Sequence, residues 1–494
     1  MLFNSYIFIL CFLPLALAGY FGCNARGRYE WGKMWLCAMS LWFYAWFNVK
    51  YLPIIVGSIL FNYAAYRLIL GHRGMDGRRR GDLYLTVAGV AANLGVLFYY
   101  KYFDFFVENV NHICHTDFTL RHVLLPLGIS FFTFQQIGFL VDTYRGGTGN
   151  YSFMDYALFV TFFPQLIAGP IVTHDEMIAQ FADPARKRWD VVSACGGIYV
   201  FVCGLGKKVL IADIFGRAVA WGYGNLNSLS GLTAVWLIAS YGVQLYFDFS
   251  GYCDMARGIG LLFRIDLPVN FFSPYKARDL VDFWKRWHIT LNRFFTRYLY
   301  IPLGGNRKGR LRTCLHSFLV FFVSGIWHGA GFTFLFWGTA HGVIYIITKQ
   351  MLPLLEKIPA VVTRLCNLLL VLILCVFFRA ETMAQAWQIL GCALSGGYGL
   401  LSVPAGFAEQ FRTPEFFYAM KVLHLLPGNP AMADYVLMAG YMLAAWFIIL
   451  CLPNTAEKLT NFRPGMRNSL FVVFIFLWSL LSFSEVSTFL YFNF

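Results

Sequence analysis

Residues 324–331 read Ser324-Gly325-Ile326-Trp327-His328-Gly329-Ala330-Gly331 and lie between two apolar runs, at about 312–325 and 331–348. Apolar runs of this kind recur along the whole chain, and about 20 such residues suffice for one crossing of a bilayer. The 494 residues are 59% hydrophobic and 13% charged, whereas a soluble domain carries roughly a quarter charged residues. The pattern predicts an all-α polytopic membrane protein with about eleven transmembrane helices.

The predicted crossings are spread over the chain. Residues 1–20 could be mistaken for a secretory signal because of Ala16-Leu17-Ala18, but no basic residue precedes the apolar run. We interpret this segment as the first spanning helix. The stretch 34–70 fits two crossings joined by a tight outer turn near Lys50–Pro53. Further apolar runs fall at about 83–103, 123–141, 155–172, 190–213, 229–247, 312–325, 331–348, 361–378, 433–452 and 468–492.

The net charge of +14 is concentrated in short loops between apolar runs. The loops 21–33 and 71–82 each carry at least three basic residues, which is the positive-inside pattern of membrane proteins. We therefore expect both loops in the cytoplasm and the N-terminus outside. No segment is long and polar enough to form a soluble domain with a basic face, so we expect no nucleic-acid partner and a single integral-membrane domain over 1–494.

Proline and glycine interrupt one apolar run, at Phe163-Pro164-Gln165-Leu166-Ile167-Ala168-Gly169-Pro170. Non-helical backbone at membrane depth is tolerated only where protein or a water-filled cavity surrounds it. The break is either a re-entrant segment that lines an internal chamber or a kinked helix. The proline count alone favours the kinked helix.

The segment 276–312 carries ten Lys and Arg residues against Asp279 and Asp282, with aromatic residues between them. Asp282 and Arg286 are spaced i,i+4, so they can pair on one helical face. The pattern predicts an amphipathic helix in the cytoplasmic interface. This helix is either an anchor or a platform for an anionic donor such as the phosphates of coenzyme A. The following turn, Leu303 to Gly309, lacks the spacing of a Walker loop.

Two histidines follow tryptophans in this chain, His328 and His288. A titratable group in apolar sequence is costly unless it is paired or functional, and histidine suits proton transfer near neutral pH. On chemistry alone, His328 is either a catalytic base or a satisfied core histidine. His341 lies thirteen residues after His328, which is not the spacing of a helical metal pair, and the twelve cysteines contain no C-x-x-C pair. We predict neither a zinc site nor a disulfide framework, and we expect His174 to be solvated.

A second polar cluster runs from Gln244 to Asp254, Gln244-Leu245-Tyr246-Phe247-Asp248-Phe249-Ser250-Gly251-Tyr252-Cys253-Asp254. Two carboxylates in apolar sequence need partners. They could orient a histidine, as carboxylates do in acyl-transfer sites. They could equally pair with a buried lysine or arginine and stabilise the fold.

Several segments together resemble the membrane-bound O-acyltransferase (MBOAT) family, in the branch that contains the bacterial alginate O-acetylation membrane protein. The resemblance covers nearly the whole chain, and the segments occur in the expected order. They are specific together, although each alone is a weak signal. The matching stretches are Leu125–Phe132, Asp142–Gly146, Phe163–Pro170, Gln244–Asp254, Asn270–Tyr275, Phe283–Leu291, Leu303–Gly309, Trp327–Ala330 and Phe489–Phe494.

The resemblance implies the MBOAT fold, a ring of tilted helices with re-entrant and interfacial helices around a central chamber, with a catalytic core at about 120–350. It implies that His328 matches the family's essential histidine and His288 a second histidine important in this branch. Asp282 stands where the branch often has glutamate, and Cys253 where serine is common. Beyond the two histidines, the expected chamber or substrate residues are Trp327, Trp287, Asp248, Tyr246, Asn270, Asp282 and Arg286, and the expected donor-binding residues are Asn306, Arg307 and Lys308.

The resemblance also implies a function in the bacterial cytoplasmic membrane. The protein would pass an acetyl group from cytoplasmic acetyl-CoA to an extracytoplasmic polysaccharide. Acetyl-CoA would be the acyl donor, and we expect no permanently bound cofactor. The expected partners are membrane lipid, the polysaccharide and a serine hydrolase-like acetyltransferase outside the membrane. Alternatives are D-alanyl transfer to teichoic acid from a carrier-protein thioester, and a transporter or export scaffold without chemistry of its own.

Overall fold

The computed structural model describes residues 1–73, 80–399, 402–422, 430–483 and 489–490. Within these ranges all regular secondary structure is helical, which confirms the predicted all-α class. Parts of two segments named in the sequence analysis lie outside the described residues. They are Arg78 and Arg79 of the loop 71–82, and Tyr491 to Phe494 of the stretch Phe489–Phe494.

The N-terminal helices follow the predicted crossings except at one place. The turn expected near Lys50–Pro53 is confirmed, because a short 3₁₀ turn at Val49–Tyr51 separates two long helices. The run 123–141 was predicted as one helix, but residues 116–128 are not helical. Gly128 adopts φ +72, which suits glycine and ends the irregular segment. The helices are α1 Leu13–Ala25, preceded by a π-helical turn Phe8–Phe12, α2 Tyr29–Ala45, α3 Leu52–Arg73, α4 Arg80–Lys101, α5 Phe103–Cys114 and α6 Ile129–Arg145.

The Pro/Gly-interrupted run is a broken segment and not a kinked helix. Residues 161–172 are all buried, and 167–173 have no helical structure. Side chains satisfy backbone groups that the break leaves without helical partners. The Gln165 amide donates to Phe159 O at 2.8 Å, and Ile171 N donates to Thr290 Oγ1 at 3.0 Å. Surrounding protein therefore makes the irregular backbone tolerable at this depth.

The basic segment does not form the predicted single amphipathic helix. It contains two short helices that are separated at Trp287 and His288, because His288 adopts a left-handed conformation with φ 44. The predicted Asp282–Arg286 pair is confirmed at 2.8 Å. The helices of this part of the chain are α7 Phe153–Thr161, α8 Phe163–Leu166, α9 His174–Ala182, α10 Val191–Gly206, α11 Asp213–Gly224, α12 Gly231–Leu262, α13 Leu280–Arg286 and α14 Ile289–Phe295.

The C-terminal helices begin after a π-helical turn at Thr296–Tyr300 and a tight turn that contains the Gly304–Gly305 pair. The predicted break between the runs 312–325 and 331–348 is confirmed, because one helix ends at His328 and the next begins at Phe332. The helices are α15 Arg310–His328, α16 Phe332–Leu355, α17 Ala360–Arg379, α18 Met383–Leu394, α19 Ala405–Glu409, α20 Pro414–Val422, α21 Pro430–Cys451, α22 Thr455–Thr460 and α23 Met466–Leu481.

Five described helical segments are long and apolar enough to cross a membrane, judged by length and composition. The apolar helix α23 is shorter. The expected number of about eleven crossings stays a prediction. The five segments are Phe8–Ala25, Val49–Gly71, Arg80–Lys101, Ala360–Arg379 and Met432–Cys451.

Small residues set the closest helix contacts, as is common between helices in membranes. The central helix α12 meets α10 at glycine, since a Cβ added to Gly204 would lie 2.5 Å from Gly251 O. α15 meets α16 in the same way, since a Cβ added to Gly338 would lie 2.9 Å from Gly325 Cα. The second contact fixes how the end of α15 lies against α16, and it thereby positions His328.

Candidate active site

His328 is the last residue of α15 and is buried. The helix ends there because Gly329 is extended and residues 329–331 are small. Two aromatic rings from other helices pack edge-on against the imidazole, Trp337 at 5.2 Å and Phe378 at 5.0 Å between ring centroids. The sequence therefore places the ring at a helix end, and neighbouring helices enclose it.

Lys101, the last residue of α4, caps the end of α15. Its Nζ atom donates to Trp327 O at 2.6 Å and to His328 O at 3.1 Å. A cation suits this place because the last carbonyl groups of a helix have no helical partners and carry a partial negative charge. The sequence analysis missed Lys101, although a lone lysine near the end of an apolar run is a recognisable signal.

His288 is buried beneath the start of α14, and Asn270 fixes the orientation of its ring. Asn270 Oδ1 accepts from Thr290 N at 3.2 Å and from Thr290 Oγ1 at 2.9 Å, so this atom is an acceptor. His288 Nδ1 lies 3.1 Å from the same oxygen and must donate to it. In the neutral ring the proton therefore sits on Nδ1, and Nε2 carries the lone pair.

Trp327 lies between the two histidines. Its ring centroid is 4.9 Å from that of His328 and 6.3 Å from that of His288. Phe134 stacks on the indole at 5.2 Å. The structure thus brings the two tryptophan–histidine motifs into one site.

His328 lines two separate small cavities. The loop cavity, of about 30 Å³, is lined by residues 125–131, Lys101, Ile167, Trp327 and His328. The tryptophan cavity, of about 20 Å³, is lined by Trp284, Trp287, Trp337, His341 and other apolar residues, and also by His328. Each volume corresponds to about one water molecule. The histidine therefore lies between two small spaces, and side chains must move before a substrate enters.

His341 is a third buried histidine at this site. It lies one turn after Trp337 on α16, and the two rings are 4.6 Å apart. Its Nδ1 accepts a long hydrogen bond of 3.4 Å from Trp284 Nε1. The sequence analysis considered His341 only as a metal ligand. Its i,i+4 spacing from Trp337 was the signal that both face the same side of the helix.

The sequence of this chain is similar to those of known proteins. The sequence model of the MBOAT, membrane-bound O-acyltransferase family matches residues 140–383. A peptidoglycan O-acetyltransferase of Helicobacter pylori is 40% identical over 100% of this chain and 98% of the relative. This chain belongs to the membrane-bound O-acyltransferase family. It is accordingly a membrane protein and an O-acyltransferase.

Other members of the family are similar to this chain. A probable alginate O-acetylase of Pseudomonas aeruginosa is 38% identical over 81% of this chain and 76% of the relative. A teichoic acid D-alanyltransferase of Lacticaseibacillus rhamnosus is 25% identical over 64% of this chain and 82% of the relative. The chain is thus similar to O-acetyltransferases over more of its length, and at higher identity, than to this D-alanyltransferase.

Within this acyltransferase, Asp248 does not orient a histidine. One carboxylate oxygen pairs with Lys208 Nζ at 2.6 Å, and the other accepts from Leu490 N at 2.9 Å. Because both oxygens are engaged, the structural alternative of the sequence analysis is the one observed.

His174 was expected to be solvated, but it is buried and lies 3.5 Å from Asp142, so that expectation is wrong.

The remaining predicted chamber residues differ in whether they line the two cavities. Trp287 lines the tryptophan cavity and stacks on Phe283 at 5.6 Å. Tyr246 packs behind Trp287 at 6.5 Å but faces a lateral apolar cleft instead of the two cavities. Asp282 and Arg286 are partly exposed, at 27% and 32% of their side-chain surface, and line neither cavity.

The predicted donor-binding residues are far from His328 along α15. Asn306, Arg307 and Lys308 are exposed in the turn before this helix. From Arg310 to His328 the helix rises about 27 Å at 1.5 Å per residue. Asn306 and Arg310 help to line a surface groove of about 410 Å³. These residues can hold a remote part of a long donor but cannot touch the reacting atoms.

Proposed function

We propose that this acyltransferase passes an acetyl group from cytoplasmic acetyl-CoA to an extracytoplasmic polysaccharide, with His328 at the point of transfer. The observation that carries the proposal is that one buried histidine lines two cavities that are otherwise separate. A transfer between compartments needs a reacting group that donor and acceptor can approach from different sides.

The helix directions support opposite sides for the two cavities. α4 and α15 begin at Arg80 and Arg310, next to basic loops. Basic loops favour the cytoplasmic face. Both helices then end at the site, at Lys101 and His328. We therefore assign the loop cavity to the extracytoplasmic side and the tryptophan cavity to the side of the basic segment.

The proposed chemistry uses histidine as a base. His328 takes the proton of an acceptor hydroxyl, and the hydroxyl oxygen attacks the thioester carbonyl carbon. The C–S bond breaks, and the thiolate leaves and is protonated to coenzyme A, with His288 holding the thioester or assisting this proton transfer. The alternative, in which His328 carries the acetyl group as an acetyl-histidine, uses the same position between the cavities.

The donor assignment rests on charge. Arg310 and Lys349 line the surface groove at the start of α15, and Arg307 and Lys308 are exposed beside it. Phosphate groups bind favourably to such clusters. We propose that the phosphates of acetyl-CoA bind here while the thioester extends towards His328.

The acceptor assignment rests on the relatives, whose names state peptidoglycan O-acetylation and alginate O-acetylation. A polysaccharide acceptor outside the bacterial cytoplasmic membrane is the common class. We propose that a serine hydrolase-like acetyltransferase receives the acetyl group first, as the family resemblance implies, and that about eleven helices cross the membrane. D-alanyl transfer from a carrier-protein thioester is the second candidate, favoured by the similarity to teichoic acid D-alanyltransferases.

The test is acetyl-CoA turnover by the purified protein in lipid nanodiscs, with wild type, His328→Ala, His288→Ala and the exposed His112→Ala as control. Losing a general base typically costs about 10²–10⁴ in rate. We expect a loss of this size for His328→Ala, a clear loss for His288→Ala and no change for His112→Ala. Melting temperatures verify that each variant is folded.

Two results would contradict the proposal. A folded His328→Ala variant with the wild-type rate would exclude the central assignment. Wild-type protein that is silent with acetyl-CoA and a candidate partner, but active with a D-alanyl carrier-protein thioester, would favour the second candidate.

A further inference from the structure

We infer, on the basis of the proposed function, that Lys101 is a further catalytic residue of the transfer site. It holds the end of α15 and directs one cationic N–H group at an oxygen that enters the loop cavity. The ammonium group has three donors. Two of them are committed to Trp327 O and His328 O, at 2.6 and 3.1 Å. The third is the one that can reach a substrate.

The third donor is held only weakly within the protein. Ser130 Oγ lies 3.5 Å from Lys101 Nζ, which is at the outer limit for a hydrogen bond. Ser130 and Lys101 both line the loop cavity, together with His328. An oxygen atom that enters this cavity therefore competes with a weak contact and can replace it at little cost.

Lys101 also differs in charge balance from three other buried or half-buried lysines. Lys33, Lys207 and Lys208 each have a carboxylate partner at 2.6–2.8 Å. The hydrogen bonds of Lys101 within the described residues are to two carbonyl oxygens and one hydroxyl. A helix end supplies only about half a negative charge. With Lys101 protonated, positive charge therefore remains at the loop cavity.

Such a charge is suited to the proposed transfer. When the acceptor oxygen attacks the thioester, the carbonyl oxygen becomes an oxyanion until the C–S bond breaks. A fixed donor in a dry site stabilises such an oxyanion far more than it would in water. Lys101 itself neither gains nor loses a proton in this step.

The chain contains a matched control for helix capping alone. Lys187 is buried, donates to Phe181 O in the last turn of α9 and lies 5.7 Å from the ring of Tyr20. Lys101 likewise caps a helix and lies 5.8 Å from the ring of Trp327. Lys187 lines neither cavity. Its substitution removes a cap and a buried charge without touching the site.

The experiment compares Lys101→Met, Lys101→Gln, Lys101→Arg and Lys187→Met in nanodiscs, by steady-state acetyl transfer and melting temperature. We expect kcat to fall about 10²-fold for the two neutral Lys101 variants, which is the usual cost of one oxyanion donor. The KM for acetyl-CoA should change little, and Lys101→Arg should recover most of kcat. Lys187→Met should lower the melting temperature and leave kcat near the wild-type value.

The outcomes separate this inference from the proposed function. If wild type is active and His328→Ala is not, but the neutral Lys101 variants keep a wild-type kcat, the inference is overturned and the proposed function stands. An Lys101→Arg variant as slow as Lys101→Met would overturn it too, because the charge would then be irrelevant. If neither neutral variant folds, Lys101 is structural and the inference fails. If His328→Ala is as active as wild type, the proposed function itself fails.

Discussion

At the scale of single residues, the site is defined by which nitrogen of each histidine carries a proton. His288 donates through Nδ1 to Asn270, whereas His341 accepts through Nδ1 from Trp284. In their neutral forms the two rings therefore differ at Nε2, which carries a lone pair in His288 and an N–H group in His341. A hydrogen-bond acceptor and a donor of the same residue type in this way lie in one candidate site.

Asn270→Leu tests this orientation. The change removes the oxygen that accepts from His288 and Thr290, and it leaves buried donors unsatisfied at about 1–3 kcal/mol each. We expect a lower melting temperature and a large loss of acetyl transfer, measured as for the histidine variants.

Thr290→Val is the control for that prediction, since it removes one donor to Asn270 and the acceptor of Ile171 N but keeps the contact with His288. It should lower stability while retaining more activity than Asn270→Leu. Equal activity in the two variants at equal folded fraction would show that the His288–Asn270 hydrogen bond has no part in the reaction.

At the scale of helices, glycine contacts set the position of the site. A Cβ on Gly338 would lie 2.6 Å from Phe321 O and 2.9 Å from Gly325 Cα. Both obstacles are backbone atoms, which cannot swing aside as a flexible side chain can. The α15–α16 pair can therefore accept the extra methyl group only by moving apart, and His328 and Trp337 would move with these helices.

Gly338→Ala should consequently reduce acetyl transfer by tenfold or more and destabilise the protein by about 1–3 kcal/mol, the usual cost of overpacking. Gly57→Ala in α3 is the control, because no atom lies within 4 Å of an added Cβ there. It should be neutral or slightly stabilising. A Gly338→Ala variant with wild-type rate and melting temperature would show that this contact does not position the site.

At the scale of the whole molecule, a buried ion network joins distant parts of the chain. Lys208 lies between Asp213 at 2.8 Å and Asp248 at 2.6 Å. Asp248 also accepts from Leu490 N, 242 residues along the chain. Phe489 then packs on Tyr252 at 4.7 Å. The end of the described chain is thereby fastened to the central helix α12.

Asp248→Asn should lower the yield of folded protein and its melting temperature. Removing one partner of a buried pair typically costs about 3–5 kcal/mol, and we expect a smaller cost here because Lys208 keeps Asp213 at 2.8 Å. The double variant Lys208→Met/Asp248→Leu should be less destabilised than the sum of its single variants. Additive losses, measured by thermal unfolding in nanodiscs, would contradict the assigned pair.

The sequence by itself determined the helical class and most helix positions. It also singled out the two tryptophan–histidine motifs as candidate site residues. These features depend on local properties, since apolar run length decides whether a helix can span and a histidine in apolar sequence is costly wherever it lies. The Asp282–Arg286 pair was predictable for the same reason, because it depends only on i,i+4 spacing within one helix.

Only the tertiary structure decided which groups meet. Lys101 on α4 donates to His328 O, and His341 on α16 lines a cavity together with His328. Asp248 pairs with Lys208 and not with a histidine. The left-handed conformation of His288 breaks the predicted amphipathic helix. These outcomes depend on packing between residues far apart in the chain. Apolar periodicity shows that a helix has a buried face, but it does not show which other helix covers that face.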